Sequence, residues 1–203
     1  MLSGSINSKP TVAMRSTHAT YQELDHISLR LGRLLERQGY SASIIPHAVP
    51  VEMSKETSGL LGDISLRHAA SGAGLGVLGR SRLLITEKWG PRVRLGAVVT
   101  DLELPGDNPL EADLCAGCDL CIQACPSKSL SEEGRDGVLK CLRHLFKYGL
   151  VAYSNYLNKL LSADEEERKN LLRNPTFWNM YQAQSIELYY ECFECLTACP
   201  VGK

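Results

Sequence analysis

Neither sign of charge is in excess in this 203-residue chain: 22 Lys and Arg stand against 23 Asp and Glu, for a net charge of -1. A protein that grips nucleic acid or an anionic membrane needs clustered cations, so neither is an expected direct partner. Long apolar runs are missing too. No run is long enough to span a bilayer, and Met1–Thr20 is polar and interrupted by Gly4 and Pro10, without the apolar core of a secretion signal. A cytoplasmic location is expected. No segment is of low complexity, and no repeat occurs beyond two cysteine motifs. What is present is ordinary for a soluble chain of one or two small domains, 44% hydrophobic and 22% charged, except for eight cysteines. Without a secretion signal their spacing reads first as metal or redox chemistry, not as a disulfide framework.

Thr20 and Glu23 make a capping box, and Leu24, Ile27, Leu31, Leu34 and Leu35 recur at helical spacing until Gly39. The pattern predicts an amphipathic helix with one buried stripe, stopped at the glycine. Residues 41–45 read as a short strand ended by Pro46, Pro50 keeps the next stretch extended, and Asp63 is placed to cap a short helix through Ala70. Residues 82–86 and 93–100 are β-type runs on either side of a Trp89-Gly90-Pro91 turn. Residues 1–104 therefore read as an α/β front domain. The run Pro105-Gly-Asp-Asn-Pro109 marks a boundary. Residues 105–203 read as cysteine motifs joined by a helical insertion over about 138–190, with helices from Val138 to about Leu161, after the Ser162/Glu165 capping box, and after Asn174-Pro175. The acidic run Glu165–Glu167, followed by Arg168 and Lys169, reads as a solvated helix face.

Cys115-x-x-Cys118-x-x-Cys121-x-x-x-Cys125-Pro126 has the spacing of a bacterial ferredoxin cluster motif, in which three thiolates hold one cubane and the fourth reaches another. A structural zinc site is the main competitor. Near the C-terminus stands Cys192-x-x-Cys195-x-x-x-Cys199-Pro200, the same pattern with Tyr189 in place of its first member. Crossing the motifs gives Cys115, Cys118, Cys121 and Cys199 to a first [4Fe–4S] cluster and leaves Cys125, Cys192 and Cys195 for a second. Cys141 is the remaining cysteine. It completes the second set, or it is a small buried hydrophobe beside Leu142, Leu145 and Phe146, with an open iron or a non-cysteine ligand in its stead. Two adjacent cubanes suit one-electron transfer.

Gly74, Gly76 and Gly79 make a G-x-G-x-x-G match. That fingerprint needs a strand before it and a helix after it, and here the order is inverted, so dinucleotide binding is not expected. The glycines read as a tight bend or as a close approach of main chain to a flat cofactor, with a ligand-free turn as the plain alternative. Arg80 is placed to pair with a phosphate or carboxylate, although a solvated arginine is the commoner case.

The run Arg67-His-Ala-Ala-Ser-Gly-Ala-Gly-Leu-Gly-Val-Leu-Gly-Arg80, then Leu83–Thr86, Trp89-Gly-Pro-Arg92 and Ala97–Leu104, followed by the first cysteine motif, resembles the epoxyqueuosine reductase and reductive dehalogenase superfamily. The resemblance implies an α+β architecture: a partial nitroreductase-like front domain, then a bacterial-ferredoxin-type module with two [4Fe–4S] clusters. A truncated second cysteine motif with a distant extra cysteine also occurs in that superfamily, which places Cys141 on the second cluster. The resemblance further implies cobalamin in the front domain, with FMN as a less favoured cofactor. It also implies electrons delivered by a ferredoxin- or flavodoxin-type partner, and reductive chemistry on an unidentified small molecule. A ferredoxin-like carrier or accessory subunit without its own organic cofactor is the other reading. Where epoxyqueuosine reductases place an acidic proton donor before a Pro-Val pair, this chain has His47-Ala-Val-Pro-Val-Glu52, making His47 and Glu52 the candidate acids. The front domain is shorter than in those relatives, so a homodimer is expected to complete the pocket. The helical repeats that contact tRNA are also absent, which argues against a tRNA substrate.

Overall fold

The structure is a computed structural model that describes residues 10–48, 51–52, 54–57, 60–145, 150–186 and 191–203. It falls into two compact units, one comprising Ala19–Asp119 and Cys199–Lys203, the other Leu2–His18 and Leu120–Ala198. The Pro105–Pro109 stretch lies within the first. Pro50, Phe146 and Tyr189 lie outside the described residues.

Helix α1 (Pro10–Arg37) starts well before the capping box expected at Thr20. Pro10 suits a first helical position because the N–H it lacks has no partner there, and Ala13, Met14 and Thr17 are all buried. Gly39 does stop the helix. It adopts φ +93°, and the Tyr40 N–H donates back to the Leu35 carbonyl at 3.1 Å, which satisfies an orphan carbonyl of the last turn.

The buried stripe of α1 differs from the expected one. Ile27, Leu31 and Leu34 are exposed, whereas Ser28, Gly32 and Leu35 are buried. Small residues win this face because backbone comes close to it. A Cβ on Gly96 would stand 3.1 Å from Ser28 Oγ and 3.7 Å from Leu24 Cδ2, and one on Gly32 would stand 3.8 Å from the Cβ of Ala42. Larger side chains at 28 or 32 would push that backbone away.

The first unit holds two two-stranded antiparallel sheets. In one, β1 (Ala42–Ile45) pairs with β4 (Ala97–Thr100), with Ala42 opposite Thr100 and Ile45 opposite Ala97. The Ser41 N–H donates to Asp101 Oδ1 at 2.8 Å beside the ladder. In the other, β2 (Val77–Leu78) pairs with β3 (Leu84–Ile85), the latter strand fully buried. The β-type runs at 82–86 and 93–100 thus belong to different sheets. Between them, Thr86 and Gly90 form an isolated bridge around the Trp89 turn. The short helix α2 (Leu66–Gly72) is entered at Ser65, not Asp63, and Ser65 Oγ bonds His68 Nδ1 at 2.6 Å.

In the second unit, α3 (Leu120–Ala124) packs on α8 (Glu194–Ala198), and α4 (Gly134–Leu145) packs on a 3₁₀ turn at Ser129–Ser131. Three further helices, α5 (Leu150–Ser162), α6 (Glu165–Arg173) and α7 (Pro175–Ile186), pack on one another with Ala163, Leu171 and Met180 buried. The Tyr156 hydroxyl donates to the Leu171 carbonyl. The cap of α6 is Asp164 and not Ser162: its Oδ1 accepts from the Glu167 N–H at 2.8 Å, and an N-cap carboxylate also favours the positive end of the helix dipole. Helix α7 opens at Pro175 as expected, and Asn174 Oδ1 accepts from the Thr176 N–H at 2.9 Å. The whole is a mixture of helices and small sheets.

Candidate metal centre

All eight cysteines are described, and all are thiols. Three belong to the first unit. Cys115 and Cys118 share a tight turn in which the Cys118 N–H donates to the Cys115 carbonyl at 3.0 Å, with Gly117 at φ +64° inside it. Cys199 arrives with the C-terminal segment, which is laid against the Trp89 turn. Arg92 Nη1 donates to the Cys199 carbonyl at 3.1 Å, and its Nη2 donates to the Val201 carbonyl. The fit is close: Gly90 has φ +56°, and a Cβ there would come within 2.1 Å of the Val201 carbonyl oxygen.

The glycine run reaches one of these cysteines, Cys115, through Gly79. A Cβ on Gly74 would meet the Asn108 carbonyl at 2.4 Å, one on Gly76 the Ile85 carbonyl at 2.3 Å, and one on Gly79 both the Ile85 side chain at 2.5 Å and Cys115 Sγ at 3.1 Å. The chain's own atoms, backbone at Gly74 and Gly76 and side chains at Gly79, therefore account for the missing side chains. Arg80 likewise turns to the cysteine loop. Its Nη1 donates to the Cys118 carbonyl at 3.2 Å and pairs with the Asp119 carboxylate.

The other five cysteines belong to the second unit. Cys121 is buried on α3. Cys125 follows that helix, with Sγ 3.3 Å from Ser129 Oγ and 3.6 Å from Ser127 Oγ. Cys141 lies on α4, Cys195 on α8, and Cys192 just before α8. The electrostatics bring all five together. Burial pushes the Cys195 thiol up to about 12, reinforced by the negative charges of Cys192, Cys141, Cys121 and Cys125. Burial also raises Cys192, with smaller pushes from the negative charges of Glu194, Cys141 and Cys125, against a backbone hydrogen bond from Glu194 to the thiolate that lowers it. Cys125 goes the other way. Burial raises it, but the Ser129 hydroxyl, the Leu130 backbone, the Ser127 hydroxyl and the Ser129 backbone together bring it down to about 7.

Such mutual repulsion is what a group of thiolates experiences without a cation to share. The donors fit an iron–sulfur cluster better than a single ion. Among the described residues, no three His, Cys, Asp or Glu side chains converge as a lone metal ion requires. Ligands of a cubane bind different irons and stand further apart than the four ligands of one tetrahedral zinc.

The candidate acids sit elsewhere in the first unit. His47 stacks on Tyr21, with ring centroids 4.0 Å apart and planes within 12°, and its Nδ1 lies 3.1 Å from Asp25 Oδ1. The Arg94 guanidinium lies 5.5 Å from the Tyr21 ring centre. Glu52 is exposed. Its backbone is held, the N–H donating to Leu61 and the carbonyl accepting from Thr57 Oγ1.

No family model matches the chain. It is 30% identical to the epoxyqueuosine reductase of Listeria monocytogenes over 142 residues, 70% of this chain and 31% of that protein. It is 34% identical to the tetrachloroethene reductive dehalogenase of Desulfitobacterium hafniense over 139 residues, 66% of this chain and 23% of that protein. This chain is a relative of both reductases. It spans about a third or less of the length of these two. The fold agrees: a solved epoxyqueuosine reductase superposes with a TM-score of 0.53 at 22% identity, covering 92% of this chain and 39% of that one. That structure was determined with an epoxyqueuosine-modified tRNA stem loop. A whole-chain sum says nothing of a local patch.

Sequence reasoning did not single out Arg92, Ser129 or Asp25. The first lay inside the Trp89-Gly-Pro-Arg92 run that carried the resemblance, and the second two residues beyond the Cys125-Pro126-Ser127 corner. Asp25 had no signal, because its partner His47 is 22 residues away.

Proposed function

We propose that this chain is an iron–sulfur reductase in which Cys115, Cys118, Cys121 and Cys199 hold one [4Fe–4S] cluster and Cys125, Cys141, Cys192 and Cys195 a second. The observation that carries the iron–sulfur reading is the gathering of Cys192, Cys141, Cys121 and Cys125 around Cys195, closely enough for each to raise its pKa; the division into two sets follows the crossed motif spacing. Bound cubanes supply one-electron storage and transfer at low potential. The chain's own residues hold them, through short loops that set Cys115 and Cys118 and a helix pair that sets Cys121 and Cys195.

By kinship, the electrons come from a ferredoxin- or flavodoxin-type donor and serve a reductive step at a cobalamin-type cofactor, with FMN as the lesser choice. This part of the proposal rests on the relatives and not on Gly74, Gly76 and Gly79, whose close neighbours are the chain's own atoms. Two substrates follow the relatives' names, an epoxide on a tRNA stem loop and a small organohalide. The proton donor is His47. With its Nδ1–H directed at Asp25 and its ring fixed on Tyr21, Nε2 is the nitrogen left to hold and release a proton. A second reading, an electron carrier without its own organic cofactor, is favoured by the same filled glycine run.

Anaerobic reconstitution followed by visible and paramagnetic resonance spectra, with cobalamin or FMN added, separates the readings. Two cubanes per chain and a corrin spectrum that survives gel filtration are expected. Two cubanes with neither cofactor retained would select the carrier, and iron for only one cubane would overturn the ligand assignment.

A further inference from the structure

The ligands of the first cluster are held by residues that are not ligands, and the pattern is consistent. Gly79 leaves room beside Cys115 Sγ, with its Cβ position 3.1 Å from the sulfur. Arg80, the next residue, donates to the Cys118 carbonyl at 3.2 Å. Arg92 donates to the Cys199 carbonyl at 3.1 Å and, through its other terminal nitrogen, to the Val201 carbonyl. Two cysteines of this unit from remote stretches of chain, Cys118 and Cys199, are thus each held through their carbonyls from one short segment, residues 80–92, and the bare Cα of Gly79 leaves space for a third, Cys115. Hydrogen bonding to a ligand's backbone carbonyl fixes the loop that carries the thiolate, and a guanidinium is suited to this because its planar fork stays charged at every working pH.

We propose that Arg80 and Arg92 are positioning residues that set both the seating and the reduction potential of the first cluster, an inference that rests on the ligand assignment proposed above. The charge argument is elementary. Reduction adds an electron to an already anionic cluster and its four thiolates, so a fixed cation nearby stabilises the reduced form and raises the potential. The two arginines contribute unequally. Arg80 is paired with the Asp119 carboxylate, which offsets much of its field, and both groups are about half exposed to screening water. Arg92 is less exposed and spans two carbonyls, so it has the larger effect on this cluster. The carbonyls that Arg80 and Arg92 hold belong to Cys118, Cys199 and Val201, so the first cluster is the one whose potential should respond more.

The test is a paramagnetic-resonance-monitored redox titration of reconstituted full chain, comparing Arg92→Gln, Arg92→Lys, Arg80→Gln and the parent. Arg92→Gln should move one of the two potentials to a more negative value and the other by clearly less, with the first of these clusters lost faster to a chelator. Arg92→Lys should restore most of the potential while keeping the faster loss, because it returns the charge without the fork. Arg80→Gln should shift the same potential by less. Both potentials unchanged in Arg92→Gln at full iron content would overturn the proposal, as would equal shifts of both. If Arg92→Gln fails to fold, Arg92→Lys and Arg80→Gln still decide through the same readouts. A failure of the underlying assignment shows separately, since the parent itself would then lack two reducible clusters.

Discussion

In the unit made of residues 19–119 and 199–203, the cysteines are placed by groups other than cysteine: backbone packed against Gly76 and Gly90, the Ile85 side chain against Gly79, and guanidinium groups on two carbonyls. In the unit that holds Leu120–Ala198, the thiols instead face one another, and burial together with mutual repulsion raises Cys192 and Cys195. The first arrangement is satisfied by the chain itself. In the second, burial and neighbouring thiolates disfavour ionisation of Cys192 and Cys195, so a metal must displace their protons to bind, and the order of the group depends more heavily on the metal. The two clusters are therefore expected to differ in what holds them: shape in the first, charge neutralisation in the second.

The largest effect should follow from removing Cys141. In Cys141→Ser the second set keeps three thiolates, and iron per reconstituted chain should fall to about half, with one of two cluster signals gone. Unchanged iron and an unchanged spectrum would place Cys141 outside the ligand set and end the charge-based half of the comparison. Next comes Gly90→Ala. Its Cβ would stand 2.1 Å from the Val201 carbonyl oxygen at a residue with φ +56°, so the C-terminal segment must shift and Cys199 with it. A loss of about 1–3 kcal/mol is expected from overpacking, read in chemical denaturation, with the first cluster becoming the more labile one. If the second were lost first, the shape-based half would fail.

How much of this was legible beforehand depended on whether the cause was local. The Cys115–Cys125 spacing, the Gly39 stop and the Pro175 start are local, and each was readable. The start of α1 was not, because Thr17 and Ala13 carry no apolar pattern and earn their places only by burial. Nor was the buried face of that helix, which is set by the approach of Gly96 and Ala42 from strands distant in sequence. The caps of α2 and α6 were each misplaced by two residues, because Asp63 and Ser162 compete with equally good neighbours, Ser65 and Asp164. For the candidate site, the ligand types were legible and their supports were not: Arg92 meets Cys199 across 107 residues.

A smaller effect should come from Ser129→Ala. Ser129 is fully buried, and its hydroxyl, 3.3 Å from Cys125 Sγ, is the leading group that offsets burial at that thiol. A hydrogen bond to a ligand sulfur stabilises the reduced cluster, so its loss should lower the potential of the second cluster alone. A redox titration reads this directly. A shift confined to the first cluster would reverse the assignment of Cys125.

The smallest effect tests whether the three packed helices α5, α6 and α7 share in either arrangement. Asp164→Ala removes the carboxylate that accepts from the Glu167 N–H, and N-cap loss typically costs about 1 kcal/mol. It also removes a negative charge from the first turn of α6, which already carries Glu165, Glu166 and Glu167, so the dipole contribution lost is partly duplicated there. None of the eight cysteines lies on these helices. The expected outcome is a slightly lower denaturation midpoint with iron content, spectra and both potentials unchanged. If a cluster potential moved instead, the helical segment would be coupled to the metal, and the second unit would owe its order to more than the neutralisation of four thiolates.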